Sequence, residues 1–235
     1  MELIWDGLRE AFRLLVLLDE LVFDAALRSV WISILAVGLS AIVGLPIGIW
    51  LARTSIVARN LIVFLFRAGM ALPTVFIGIV CYALISRRGP LGPFDLLYTP
   101  WAIVCGECML ALPLIVSHTH GAIRSLDPRV AETARTLGAN GLRRWRTYVS
   151  EARIGVLLGI LTAFSRCVTE LGIAMMVGGN LKDRTRTLAT AAALETGKGE
   201  FARGLAMGLI LLTISLVITA LVIYLSREEK HESSR

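Results

Sequence analysis

Apolar positions fall in five long runs, near Ala26–Ala52, Val57–Ser86, Thr99–Ser117, Ala152–Val177 and Gly204–Leu225. Each is close to or above the ~20 residues an α-helix needs to cross a ~30 Å hydrocarbon core. The pattern therefore predicts an all-α membrane bundle of about five transmembrane helices. Ahead of the first run, Leu8, Phe12, Leu15 and Leu18 share one helical stripe, with Arg9, Glu10 and Arg13 off it. That amphipathic segment predicts a helix lying in the membrane interface. The division expected is thus an interfacial helix over 1–25, a bundle over 26–225 and a polar tail over 226–235.

The connectors differ in character. The first, "RTSIVARN", is very short, and the second, "RRGPLGPFDLLYT", is rich in turn formers. The third spans about 118–151 and is dense in arginine. The fourth, "GGNLKDRTRTLATAAALETGKGEF", has polar ends around a helix-prone "LATAAALE". Inside the runs, Gly44 and Gly48 have the spacing that lets membrane helices approach closely. Pro46, Pro73 and Pro113 lie in three successive runs. Prolines kink helices and free carbonyls, so the bundle reads as one that moves or forms a pore.

Composition agrees: of 235 residues, 56% are hydrophobic, more than a soluble domain of this length carries. The net charge of +6 comes mostly from arginine, which in a membrane protein reports topology, because basic loops stay cytoplasmic. With the third loop inside, five spans place the N-terminus outside and the C-terminus in the cytoplasm. Acidic residues dominate the first 24 positions, which also lack the basic start of a signal peptide. Arg87, Arg88, Lys182, Arg184 and Arg186 fall on the outer side and oppose the rule mildly.

Candidate chemistry is sparse. Cys81, Cys105, Cys108 and Cys167 all lie in apolar runs and read as small packing residues, with no second ligand pair for a metal. His118 and His120 read as interfacial. Arg166 and Glu170 are one helical turn apart. Two unpaired charges at mid-bilayer would cost roughly 5–7 kcal/mol on insertion scales. They must pair, either as a structural pin or as part of a gate or pathway. Glu107 is a second acid within a span, with Arg67 as a possible partner.

The third loop contains a helix with both ends written in "SLDPRVAETARTLG". Asp127 suits the N-cap, Pro128 the first turn and Gly138 the position past the end. A second helix is expected from about Asn140, running on through "LRRWRTYVSEARIGV" into the fourth span. A short rigid helix at the membrane face is what a docking element requires.

These residues carry a resemblance. "AETARTLGANGLRRWRTYV" is similar to the EAA loop of the permease subunits of bacterial ABC importers. Glu132, Ala134 and Gly138 match in place, Thr133 replaces an alanine, and Tyr148 stands at the isoleucine position. Ser150 and Glu151 replace the Leu-Pro that ends the pattern. "MALPTVFIGIVCYALISRRGPLG" and the Arg166-x3-Glu170-x-Gly172 spacing resemble the oxyanion branch, the molybdate and tungstate permeases. "SRCVTELGIAMMVGGNLKDRTRTLATAAALETGKGEF" is most similar to the tungstate permeases.

The resemblance implies a type I importer permease, a multi-pass protein of a bacterial or archaeal cytoplasmic membrane. It implies a homodimer around a central pore, two ATPase subunits below and an extracytoplasmic oxyanion-binding protein above. Glu132, Ala134, Arg135, Leu137, Gly138, Arg143 and Arg144 would then couple to the ATPase or touch lipid head groups. Thr74, Arg166, Thr169, Glu170 and Gly178 would line the pore or gate. The outer cations Arg87, Arg88, Lys182, Arg184 and Arg186 would attract the anion or dock the binding protein.

"ETGKGEF" lacks the Ser or Thr after the lysine and the first glycine of a P-loop. The chain is thus expected to be no enzyme and to hold no cofactor, with ATP and Mg2+ bound by a partner and no nucleic acid involved. Molybdate, sulfate and vanadate stand as alternative substrates. An intramembrane hydrolase lacks a histidine beside Ser40 or Ser165, and an ATPase-independent channel leaves the EAA-like loop without a purpose.

Overall fold

The computed structural model describes residues 2–17 and 19–232, and within them every regular element is a helix. Helix α1 (Glu2–Val16) precedes α2 (Glu20–Arg53). Leu15 of the expected stripe joins a buried cluster with Val22, Ala25, Leu188 and Met207, while Leu8 and Phe12 are exposed. Leu18 lies outside the described residues. Asp19 starts α2 as its N-cap, accepting from the Val22 amide at 3.3 Å. The helix therefore begins before Ala26. Its 34 residues measure ~51 Å at 1.5 Å each, longer than the hydrocarbon core is thick.

The second run is not one helix. It forms α3 (Arg59–Gly69) and α4 (Thr74–Ile85), bent by 103°. Pro73 supplies no amide hydrogen and holds the backbone ahead of α4 extended. Pro46 and Pro113, by contrast, sit inside the unbroken helices α2 and α5 (Pro100–Arg124). The Pro113 ring lies against Gly69, where an added Cβ would come within 3.1 Å of it.

Helices α2 and α5 form the centre. A Cβ at Gly44 would meet Ile115 at 3.0 Å, and one at Gly48 would meet Thr119 at 2.7 Å. The two glycines thus let the backbones close up, as their spacing suggested. Around this contact Ile32, Ala36, Ile103, Ala111, Ile115 and Ala163 are fully buried.

The third connector forms α6 (Pro128–Thr136) and α7 (Gly141–Glu151). Helix α7 does not continue into the fourth span. It turns by 74° at Ala152 into α8 (Arg153–Val168). Arg143, Arg144 and Arg146 keep α7 at the polar boundary, whereas α8 is apolar. One straight helix would drag one of the two into the wrong medium.

Helix α8 also ends at Val168, short of Val177. Glu170 Oε1 accepts the Ile173 amide at 3.2 Å and opens a single π-helical turn over Ala174–Gly178. This turn wedges between α4 and α5 because Gly78 and Gly106 make room for Met176 and Ile173. Helix α9 (Leu188–Gly197) follows with a Thr187–Thr190 capping box, as "LATAAALE" foretold. Helix α10 (Phe201–Glu232) covers the fifth run and carries on as helix through 226–232 of the expected tail.

The helix ends define two polar faces. Arg53, Ile123, α6 and α7 meet at one. The start of α2, the 86–99 loop and residues 178–200 meet at the other, joined by Ser29 Oγ accepting the Leu188 amide at 2.7 Å and the Tyr98 amide donating to Val177 at 2.9 Å. Among the described residues three helices are long and apolar enough to cross a membrane, or up to five spans if each bent pair counts as one.

The close α2–α5 approach is testable. Gly48→Ala forces the Thr119 side chain and the Val116 carbonyl away and should cost about 1–3 kcal/mol, the range for overpacking. It should lower the unfolding midpoint in detergent by several degrees. Gly38→Ala, in the same helix with nothing near its Cβ, should leave the midpoint unchanged or slightly raised.

Candidate functional site

The α6–α7 face carries the expected docking residues. Asp127 Oδ1 accepts the Arg129 amide at 2.8 Å and starts α6. At its far end Gly138 takes φ +68°, the left-handed conformation that closes a helix. Asn140 then caps α7, accepting the Arg143 amide at 2.9 Å. Three local caps make this a stiff helix–turn–helix rather than a loose loop.

The two helices border a cleft of about 640 Å³. Val130, Ala134, Leu137 and Ala139 give it an apolar floor, and Arg129, Arg143, Arg146 and Glu151 give it a charged rim. Leu137 is 79% exposed, and Glu132, Arg135 and Gly138 are exposed beside it. Ala134 is buried and forms part of the floor; Arg144 does not line the cleft. Leu137 is thus an exposed leucine at the tip of a capped helix, ringed by charge.

One interaction at this face was not legible in the sequence. The Arg53 guanidinium stacks on the Tyr148 ring, 4.4 Å from its centroid, and donates to the Ile123 carbonyl at 3.3 Å. It thereby ties the end of α2 to the end of α5 and to α7. Tyr148 is buried among Ile49, Ala52, Ile123, Ala152 and Val156. One packed cluster thus joins α7 to α2, α5 and α8.

A second group of expected residues sits where α8 ends. Arg166 Nη1 lies 3.2 Å from Glu170 Oε2. The Glu170 side chain is 2% exposed and that of Arg166 46% exposed. A Cβ at Gly172 would be 3.2 Å from both Glu170 Oε1 and Thr74 Oγ1, so the carboxyl and the hydroxyl flank that glycine. Thr169 caps α8, its hydroxyl donating to the Ser165 carbonyl at 3.0 Å. Gly178 is further along, its carbonyl accepting from the buried Thr185 hydroxyl at 2.6 Å. Thr74, Arg166, Thr169 and Glu170 therefore gather around one break, and Gly178 belongs to the turn beyond it.

Glu107 is buried without the expected Arg67 ion pair, and its Oε2 has no hydrogen-bond partner among the described residues. The thiols of Cys81, Cys108 and Cys167 donate to backbone carbonyls of neighbouring helices, those of Ala102, Ala36 and Glu107. No group of three His, Cys, Asp or Glu residues that could hold a metal occurs among the described residues. His118 packs over Gly159 and His120 is buried, both in the last turns of α5 before Arg124.

The five cations of the opposite face do not form one patch. Arg87 and Arg88 share a cavity with Asp95, Tyr82 and Tyr98. Lys182 and Arg186 line another with Asp19, Asp24 and Asp183. Arg184 is exposed and borders neither. Each cation that lines a cavity has an acid beside it.

Residues 44–231 match the family described as binding-protein-dependent transport system inner membrane component. The chain is similar to the tungstate uptake system permease protein of Peptoclostridium acidaminophilum, 35% identical over 97% of this chain and 100% of the relative. It is 34% identical to that of Campylobacter jejuni, over 97% and 95% of the two chains. A probable anion ABC transporter permease protein of Haloferax volcanii is 36% identical over 82% of this chain and 85% of its own.

The Arg53–Tyr148 stack should show as a coupling energy. Arg53→Gln and Tyr148→Leu should each destabilise the purified protein, and the double variant should lose less than the two losses added. The expected discrepancy is about 0.5–2 kcal/mol, the range for a desolvated cation–π pair, read from denaturation midpoints.

Proposed function

Since this chain belongs to the family of binding-protein-dependent transport system inner membrane components, as the permease subunit of an ABC importer and not an enzyme itself, we propose that the oxyanion it carries is tungstate. Support comes from the two tungstate permeases that match over nearly the whole chain. A permease of this kind works with an ATPase and a binding protein. The functional unit proposed is a homodimer of this chain with two ATPase subunits, which bind the ATP and Mg2+, and an extracytoplasmic oxyanion-binding protein. The chain holds no cofactor of its own.

The α6–α7 face is assigned to the cytoplasm, because it collects Arg53, Arg124, Arg129, Arg135, Arg143, Arg144, Arg146 and Arg153. That assignment puts the N-terminus outside and the C-terminus inside. The observation that carries the coupling role is the capped helix α6 with Leu137 exposed at its tip. Leu137 and the apolar floor would seat in a cleft of the ATPase, with Glu132, Arg135 and Arg143 making charge contacts around them. Arg144, facing away from the cleft, would meet lipid head groups. Closure of the ATPases would push α6, and the cluster around Tyr148 would pass that push to the spans. Thr74 and Glu170, flanking Gly172, are assigned to the gate at the break after α8.

Deleting the gene should remove tungsten accumulation from cells given low, equimolar tungstate and molybdate, and leave molybdenum unchanged. Loss of both metals would widen the substrate to oxyanions in general; loss of neither would end the substrate proposal. In the same cells Gly138→Val should abolish tungsten uptake while the protein still reaches the membrane. A β-branched residue in the left-handed region costs about 1–2 kcal/mol and opens the helix end.

A further inference from the structure

A shallow groove of about 310 Å³ runs between α5, α8 and α10, bounded by Leu114, Thr162, Ser165, Arg166, Thr169 and Thr219. Arg166 is the fourteenth residue of α8, ~20 Å along a helix that starts at the basic face. It lies within the thickness of the hydrocarbon core. A guanidinium with nearly half its surface open cannot be left to lipid at that depth; it needs water or a polar partner. The groove's lining is mostly apolar, Leu114 and Ile218 included, and its polar atoms come from Arg166 and from the Ser and Thr side chains beside it.

Its chemistry matches a tetrahedral anion. Guanidinium carries five N–H donors in a fixed fork, and the one hydrogen bond it makes among the described residues goes to Glu170. The Thr162 and Thr169 hydroxyls give their hydrogens to backbone carbonyls. The Ser165 and Thr219 hydroxyls make no hydrogen bond among the described residues and remain as donors. Glu170 is sealed behind Arg166, where it fixes the guanidinium and offsets part of its charge. A binding point that must also release its ion needs such tempering, since passage fails when the ion is held too firmly.

We propose that this groove is an oxyanion way-station on the transport path, with Arg166, Ser165 and Thr219 supplying donors and Glu170 positioning the guanidinium. The proposal rests on the reading of this chain as a tungstate permease. It extends that reading by placing a weak anion site on the chain itself, beside the break at Gly172.

Two measurements on the assembled importer in membranes test it. In the first, Thr219→Cys is treated with an anionic, water-soluble methanethiosulfonate, with the unaltered chain as background. Modification that slows severalfold in tungstate supports the site. Modification by uncharged, lipid-soluble maleimide alone would show that the groove faces lipid and overturn it. Modification by the anionic reagent that tungstate leaves unchanged would overturn it as well.

The second measurement separates anion binding from charge balance. Arg166→Gln should lower tungsten uptake about tenfold or more, the loss expected for a charged hydrogen-bond donor. Arg166→Lys should keep part of the activity. If Arg166 serves only to neutralise Glu170, the double variant Arg166→Gln, Glu170→Gln regains uptake, and the proposal fails. If Arg166 holds the anion, the double variant stays as low as the single one. The labelling measurement needs no transport, so its result is independent of whether the unaltered importer accumulates tungsten.

Discussion

Hydrocarbon offers no hydrogen bonds, so each place where this chain interrupts a helix within the bundle must find its partners in the protein. The break after α8 shows how that is done. Glu170 accepts the Ile173 amide with one oxygen and meets Arg166 with the other. Thr185 accepts the Leu181 amide and donates to Gly178. Thr187 and Thr190 cap α9 reciprocally, and Ser29 reaches across from α2 for one more amide. These short polar side chains allow the backbone to leave the helix where a path needs an irregular wall. Removing them would leave unsatisfied amides, and the segment would gain by returning to one straight helix.

Two mechanical regimes follow. The α2–α5 pair is held by direct backbone approach at Gly44 and Gly48, which leaves little freedom to slide. The region around Gly172 and the π-helical turn is held by hydrogen bonds to side chains, which exchange partners at lower cost than a packed interface. A transporter needs both a fixed frame and a part that can rearrange. The basic face adds a lever: α7 stands at a sharp angle to α8 and shares the cluster around Tyr148.

What was legible in the sequence followed from local chemistry. Asp127, Pro128 and Gly138 bracket α6 because caps act within one turn. Arg166 and Glu170 meet because four residues close a helical turn, though Glu170 itself lies just beyond the helix. The bends at Pro73 and Ala152 were harder. Long apolar runs read as single helices, and only the chemistry of the neighbours shows which proline breaks a span and which merely sits in one. Pro46 and Pro113 remain inside helices packed on other helices, while Pro73 lies between two short ones. The Arg53–Tyr148 stack, the Ser29 cap and the groove at Thr219 join positions far apart in the chain, and no local signal announces such contacts. Glu107 was given Arg67 as a partner by charge alone, and that ion pair is absent among the described residues.

The bond between Ser29 and Leu188 spans 159 residues of chain, and Arg28 donates to the Arg186 carbonyl over nearly the same interval. Ribosomes add roughly 5–20 residues per second, so at that pace α2 is made about 8–32 s before the segment that completes it. During that interval the first span sits in the bilayer with a serine and an arginine still waiting for the groups they will hold. Assembly therefore closes from the last quarter of the chain back onto its beginning. A protein cut short before α9 would insert its early spans and never lock them, which makes it a natural substrate for membrane quality control.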